Sequence, residues 1–127
     1  MTDDVRDVLA IQKTLADYGV CIDGGNFESL PALFAPDAEL QAFGQVWQGP
    51  DEIVARLSGG MRGLHLASMP SIVIDGDHAA ARQNFAFLSQ DRQILRIGMY
   101  HDELVRRDGS WQFTKRRMEF VEGEGST

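Results

Sequence analysis

The chain has 127 residues, 43% of them hydrophobic and 24% charged, with a formal net charge of −7. That is one domain's length with enough apolar residue for a core, so disordered and membrane-spanning classes are excluded. An acidic chain without a basic stripe also argues against nucleic acid and anionic membrane as main partners.

In chain order, Val5, Val8, Ile11, Leu15, Tyr18 and Ile22 recur every three or four residues and predict a helix over about Asp4–Asp23. Thr2 or Asp3 can cap it, and Gly24-Gly25 can end it in a left-handed turn. Asn26 then caps a second short helix bearing Phe27, Leu30, Leu33 and Phe34, stopped by Pro36. From Ala38 the period becomes two, with short strands at Ala38–Phe43 and Gln45–Gln48 around Gly44. Gly49-Pro50-Asp51 opens a third helix, about Asp51–Leu57, with Ile53, Val54 and Leu57 inward. Four long strands follow: Leu64–Ile74, Ala79–Ser89, Ile94–Arg107 and Trp111–Val121, with turns at Asp75-Gly76-Asp77 and Asp108-Gly109. The order predicts an α+β domain spanning 1–127, its helices on one face of a mostly antiparallel sheet. Residues 123–127 read as a frayed tail.

Apolar runs are short and the first residues, MTDDVRD, are acidic, so neither a membrane span nor a signal segment is expected and the cytoplasm is the default compartment. The single cysteine, Cys21, excludes an internal disulfide and reads as a small buried helix residue. His65, His78 and His101 lack metal-ligand spacing, and no phosphate-cradling glycine loop occurs. Neither metal nor cofactor is expected.

Two residues carry chemistry. Asp23 is a carboxylate at the end of an apolar helix. His65 is in a strand, GLHLASM, on a face shared with Ala67 and Met69. An imidazole beside a carboxylate has its tautomer fixed and its protonated form stabilised, which equips it to take a proton from carbon. Tyr18 lies five residues before Asp23, about 140° around an ideal helix, and could line the same cavity. Arg116 alternates with Gln112, Thr114 and Met118, and is either a surface residue or an inward cation. Tyr100 and Asp102 share a face with Gly98, whose missing side chain could open space. His101 reads as structural or interfacial, and His78 as solvated in a turn.

The runs IQKTLADYGVCIDGGNFESLPALFAPDAEL, QGPDEI, HLASM and GMYHDELVRRDGSWQFTKRR, in that order, resemble the SnoaL-like group of the nuclear transport factor 2-like superfamily. The likeness covers nearly the whole chain. It implies a cone-shaped α+β barrel, helices packed in a highly curved sheet, and a homo-oligomer (dimer or trimer) joined through Trp111, Phe113 and Val105. The pattern is similar to the scytalone dehydratase and hexachlorocyclohexane dehydrochlorinase branch, whose Asp–His dyad falls on Asp23 and His65. The dehydrochlorinase's last-strand arginine falls on Arg116, while its helix-one lysine falls on Tyr18. The dehydratase's two tyrosines and second histidine fall on Ile22, Ala42 and Gln83.

The resemblance therefore implies a cofactor-independent lyase, of dehydratase or β-elimination type, acting on a small to medium apolar molecule. His65 is its base, Asp23 orients it, and Tyr18, Tyr100 and Arg116 support the developing charge. Gln83, Met69, Leu40 and Phe85 are assigned to the pocket wall. An isomerase or polyketide-type cyclase using the same proton transfer is the nearest alternative, and a non-catalytic small-molecule-binding module is the second.

Overall fold

The computed structural model describes residues 2–121, with side chains from Asp4 onward, so the expectations for the tail and for a cap at Thr2 or Asp3 fall outside it. Helix α1 runs Thr2–Asp23 and buries Ile11, Leu15, Tyr18 and Ile22, as their spacing requires. Val5, one turn before Val8, stays exposed, and Cys21 is only partly buried. The helix stops where expected. Gly25 takes φ 72°, and its amide donates to the Ile22 carbonyl, which the Gly24 amide's bond to Val20 leaves free.

The second predicted helix shrinks to a four-residue 3-10 turn, Leu30–Leu33. Phe34, assigned to that helix, begins strand β1 instead, which runs Phe34–Ala42. Pro36, read as a stop, sits inside β1. Its missing N–H is tolerated because the register is irregular between Phe34 and Glu39, and the neighbouring strand pairs only from Glu39 onward. Strand β2, Gln45–Gln48, returns through a two-residue turn at Phe43-Gly44, both at positive φ. Helix α2, Gly49–Ser58, follows.

The predicted strand Leu64–Ile74 is two strands, β3 at Gly63–Ala67 and β4 at Ser71–Asp75. Both pair antiparallel with β5, His78–Ser89, and the break spans Ser68–Pro70. Proline has no amide to give the ladder. The loose backbone is tied down instead by Gln83 Nε2 donating to the Ser68 carbonyl at 2.8 Å, and by the Ser68 amide donating to the Asn84 carbonyl at 3.0 Å. His78 therefore opens a strand, though it is exposed as expected.

Strands β6, Ile94–Arg107, and β7, Ser110–Phe120, complete a curved, unclosed seven-stranded sheet in the order β2-β1-β7-β6-β5-β3, with β4 on the β5 flank. All pairings are antiparallel except β1 with β7. The core lies between α1 and the concave sheet face, and includes Phe34, Leu40, Ile53, Leu104, Trp111 and Phe113.

One bulge sets which residues face that core. Between Glu103 and Leu104 of β6, β7 has one extra residue, since Lys115 pairs with Glu103 and Phe113 with Leu104. Thr114 is the surplus residue, and its hydroxyl donates to the Glu103 carbonyl at 3.1 Å. The phase of β7 flips there. Trp111 and Phe113 point inward before it, and Arg116 points inward after it. Simple alternation put Arg116 with Gln112 and Thr114, and the resemblance put Trp111 and Phe113 at an oligomer surface. Both expectations are corrected: Trp111 and Phe113 are core residues and cannot form an oligomer surface, and Val105 is half-buried. Among the described residues, the large apolar side chains that the sheet exposes are instead Val46, Leu64, Leu66, Val73 and Ile97, with Ile94 and Leu95 at the start of β6.

Candidate functional site

The end of α1 delivers Asp23 to the middle of β3. Arg62, just before β3, donates from Nη2 to the Asp23 carbonyl at 3.2 Å and so places a cation at the helix C-terminus. A Cβ on Gly25 would stand 3.2 Å from that guanidinium, so glycine there serves both the turn and the close approach.

His65 lies 42 positions after Asp23 in the sequence and against it in space. Its backbone amide donates to Asp23 Oδ2 at 2.7 Å, and its ring Nδ1 lies 2.6 Å from Asp23 Oδ1. An ionised carboxylate only accepts, so the proton of a neutral imidazole belongs on Nδ1 and Nε2 carries the free lone pair. Both side chains keep a little exposure, 18% for His65 and 14% for Asp23. The ring is further set by the Phe87 ring, with centroids 4.8 Å apart, and by an edge contact with Tyr18 at 6.4 Å.

His65, Tyr18 and Tyr100 form a wall between two cavities, since all three line both. The wider, about 740 Å³, lies along α1 beside Gln12, Ala16, Met69 and Gln83. The narrower, about 100 Å³, sits on the concave sheet face among Trp47, Phe85, Phe87, Met118 and Phe120. Asp23 borders only the wider one.

Behind the two tyrosines is a buried ion pair. Arg116 donates to Asp102 from Nε at 2.8 Å and from Nη2 at 3.1 Å, and neither side chain has any exposure. The guanidinium carbon lies 3.5 Å from the Tyr100 ring centroid, 4.2 Å from that of Tyr18 and 4.7 Å from that of Phe113. Burial is the largest single influence on Arg116 and works to lower its pKa, but Asp102 and the two tyrosines together outweigh it and the net direction is up, so the guanidinium stays charged. For Asp102, burial pushes the carboxyl up while Arg116 pulls it back. Burial also lifts both phenols. Tyr100 is pushed up to about 12, with Arg116 opposing, and Tyr18 goes higher still. Both are neutral phenols at any physiological pH. Tyr18 Oη, Tyr100 Oη and Arg116 Nη1 are buried without a hydrogen-bond partner among the described residues.

The structure thus brings together Asp23, His65, Tyr18 and Tyr100, with Phe85 stacked on Tyr100 at 4.2 Å and lining the narrow cavity. Arg116 points inward but lines neither cavity, because the two tyrosine rings cover it. Leu40 is not a pocket residue. It is fully buried opposite Arg116 on β7 and belongs to the core. Met69 borders the wide cavity at 84% exposure, but from the β3–β4 break, not from a strand face shared with His65. Gln83 borders it too, with its amide committed to Ser68.

Gly98 opens no space. A Cβ there would overlap the Glu119 carbonyl and come within 2.9 Å of Phe85, so its bareness lets Phe85 approach Tyr100. His101 is structural, its Nε2 lying 2.8 Å from Glu119 Oε1. Sequence reasoning missed Asp102 as the partner that fixes Arg116, although Asp102 and Tyr100 were read on one face. It also missed Arg56 and Arg96, which line the narrow cavity. Among the described residues no group of three or more His, Cys, Asp or Glu is placed to hold a metal ion, and no helix is long and apolar enough to cross a membrane.

The SnoaL-like domain family matches residues 3–117, and the chain belongs to that family. An uncharacterized protein of Mycobacterium tuberculosis, Rv2910c, is 30% identical over 124 residues, covering 89% of this chain and 84% of its own. Among solved structures, a function-unknown protein of M. tuberculosis, Rv3472 (D26N), superimposes with TM-score 0.88 at 25% identity, covering 98% of this chain and 77% of that one. A Novosphingobium aromaticivorans protein, assigned provisionally as a scytalone dehydratase, has TM-score 0.81 and 27% identity, covering 96% and 89%. A hexachlorocyclohexane dehydrochlorinase (LinA type 2) shares the fold, with TM-score 0.82 at 20% identity over 95% and 89%.

Proposed function

We propose that this SnoaL-like protein is a cofactor-independent lyase of dehydratase or β-elimination type, in which His65 Nε2 removes a proton from carbon. The observation that carries this reading is the pair of hydrogen bonds that His65 donates to Asp23, from the backbone amide at 2.7 Å and from Nδ1 at 2.6 Å. Two contacts hold the imidazole in place, select the tautomer with a free Nε2, and set a negative charge beside the imidazolium that forms. The walls on either side are mostly apolar, which favours a small, largely apolar substrate. The relative assigned as a scytalone dehydratase supports loss of water as the outcome.

Tyr18 and Tyr100 supply neutral O–H donors at the floor of the site, and the covered Arg116 acts behind them as a fixed positive charge. A negative oxygen developing on the substrate is the acceptor these groups lack. Because Arg116 is held by Asp102 behind the rings, it does not reach a leaving group directly. That specific arrangement favours, as second reading, an isomerase or cyclase in which an enolate forms and no group departs. Such an enzyme would act in the cell's aqueous phase as a homo-oligomer, its exposed Leu64, Leu66 and Ile97 covered by another copy.

The test is deuterium exchange from solvent into carbon acids, with mass analysis of products. Wild-type protein is expected to exchange or convert a β-hydroxy or unsaturated ketone, and His65→Ala to lose about 10²- to 10⁴-fold of that rate. A mass loss marks elimination and an unchanged mass marks isomerisation. Full activity in His65→Ala would end the proposal.

A further inference from the structure

The narrow cavity is apolar around most of its wall, yet two arginines border it. Arg56 lies in the last turn of α2, and Arg96 faces it from β6, paired across the sheet with Phe87. Neither has a carboxylate partner among the described residues, whereas Arg106 and Arg116 are both tied into ion pairs. Arg96 is also positioned: its guanidinium carbon lies 5.0 Å over the Phe43 ring and 5.9 Å from that of Phe87. Phe43 itself is held at φ 55°, a conformation that a bulky side chain rarely takes, so the turn carries strain at the cavity's rim. A guanidinium over an aromatic face keeps its edge N–H donors free for an anion.

We propose that the narrow cavity binds a small flat molecule bearing a carboxylate, its ring among Phe85, Phe87 and Phe120 and its carboxylate on Arg56 and Arg96. The volume, about 100 Å³, suits a single ring with short substituents. Because the whole chain carries −7, long-range attraction does not draw an anion in, and its recognition is local to these two side chains. This deepens the function proposed above and rests on it only for the reacting end, which His65 and the tyrosines face from the same cavity. The substrate class is then a ring-bearing carboxylic acid with an acidic C–H directed at His65.

The probes are benzoate and its neutral isostere benzamide, titrated by the fluorescence of Trp47, which borders the cavity. Wild-type protein is expected to bind benzoate about tenfold more tightly than benzamide, as a charge-assisted bidentate contact gives. Arg56→Gln with Arg96→Gln should erase the difference and leave benzamide binding unchanged. Arg56 is exposed, so Arg56→Gln alone reads the same effect at smaller size should the double variant not fold. Equal binding of the two probes, binding of neither, or a preference that survives both substitutions would overturn the proposal. His65→Ala separates the two readings, since it should keep the benzoate preference while losing turnover. A protein that keeps the preference but has no His65-dependent turnover retains the acid site and loses the lyase.

Discussion

Asp23 gives both carboxylate oxygens to His65, one to the backbone amide and one to the ring, so one side chain fixes both the strand and the imidazole it carries. Asp23→Asn keeps the size and one acceptor oxygen but presents N–H₂ on its other side. If the backbone amide keeps the oxygen, Nδ1 faces a donor and must become an acceptor, which moves the ring proton to Nε2 and removes the base. The expected result is a fall in kcat of about 10²- to 10⁴-fold with a stability change near 1 kcal/mol. Steady-state kinetics and urea unfolding read the two effects separately. A variant that loses stability and activity in proportion would mean Asp23 is only a structural tie.

The tyrosine hydroxyls offer the opposite signature. Tyr18 Oη and Tyr100 Oη are buried without partners, and an unpartnered buried hydroxyl destabilises a fold. Tyr18→Phe and Tyr100→Phe should therefore leave stability unchanged or raise it by about 1 kcal/mol. Catalysis should fall by about 10- to 100-fold if these donors meet a developing oxyanion. Equal kcat in Tyr100→Phe and wild type would remove the hydroxyls from the mechanism and leave the rings as wall.

Asp102 and Arg116 form the most deeply buried pair in the site, and their energetics are asymmetric. Removing only Asp102 strands a guanidinium among three aromatic rings. Asp102→Ala is expected to cost about 3 to 5 kcal/mol. Replacing both, Asp102→Leu with Arg116→Met, removes the uncompensated charge and should recover most of that loss. A double-mutant cycle by chemical denaturation measures the coupling. Additive losses would show that the two side chains are stabilised independently.

Much of this arrangement was legible in the residues, and the failures have a common cause. Helix α1, its glycine stop and the Asp23–His65 pairing follow from period, turn chemistry and the family pattern. Leu40 was misplaced because a strand position gives a face but not what lies against it, and Met69 reaches the cavity from a loop, not from the strand face expected for it. Leu40 faces core packing, and Met69 follows the break at Ser68–Pro70. The surplus Thr114 did the most damage. One inserted residue inverts a strand, and nothing local in WQFTKRR marks it, because the bulge is fixed by pairing with Glu103 and Leu104 on another strand. The sorting of Trp111, Phe113 and Arg116 between inside and outside was lost with it.

The chain has only two tyrosines, and both are in the site, so ultraviolet titration of phenolate reports on the site alone. Burial pushes Tyr100 up to about 12 and Tyr18 further. In the unfolded chain both ionise near the ordinary value of about 10. Between those limits the folded state binds more protons than the unfolded one, so stability falls as pH rises. The contribution is complete below about pH 10 and is lost as pH climbs toward the folded values, about 2 to 3 kcal/mol for Tyr100 alone. The absorbance of phenolate near 295 nm should stay flat through pH 10 and then rise for both rings together with loss of circular dichroism. A substrate-like anion on the same cluster would be repelled by phenolate, so ligand binding should fail over the same interval. If one ring titrates near pH 10 in folded protein, that tyrosine is open to water, and the wall between the two cavities is not closed there.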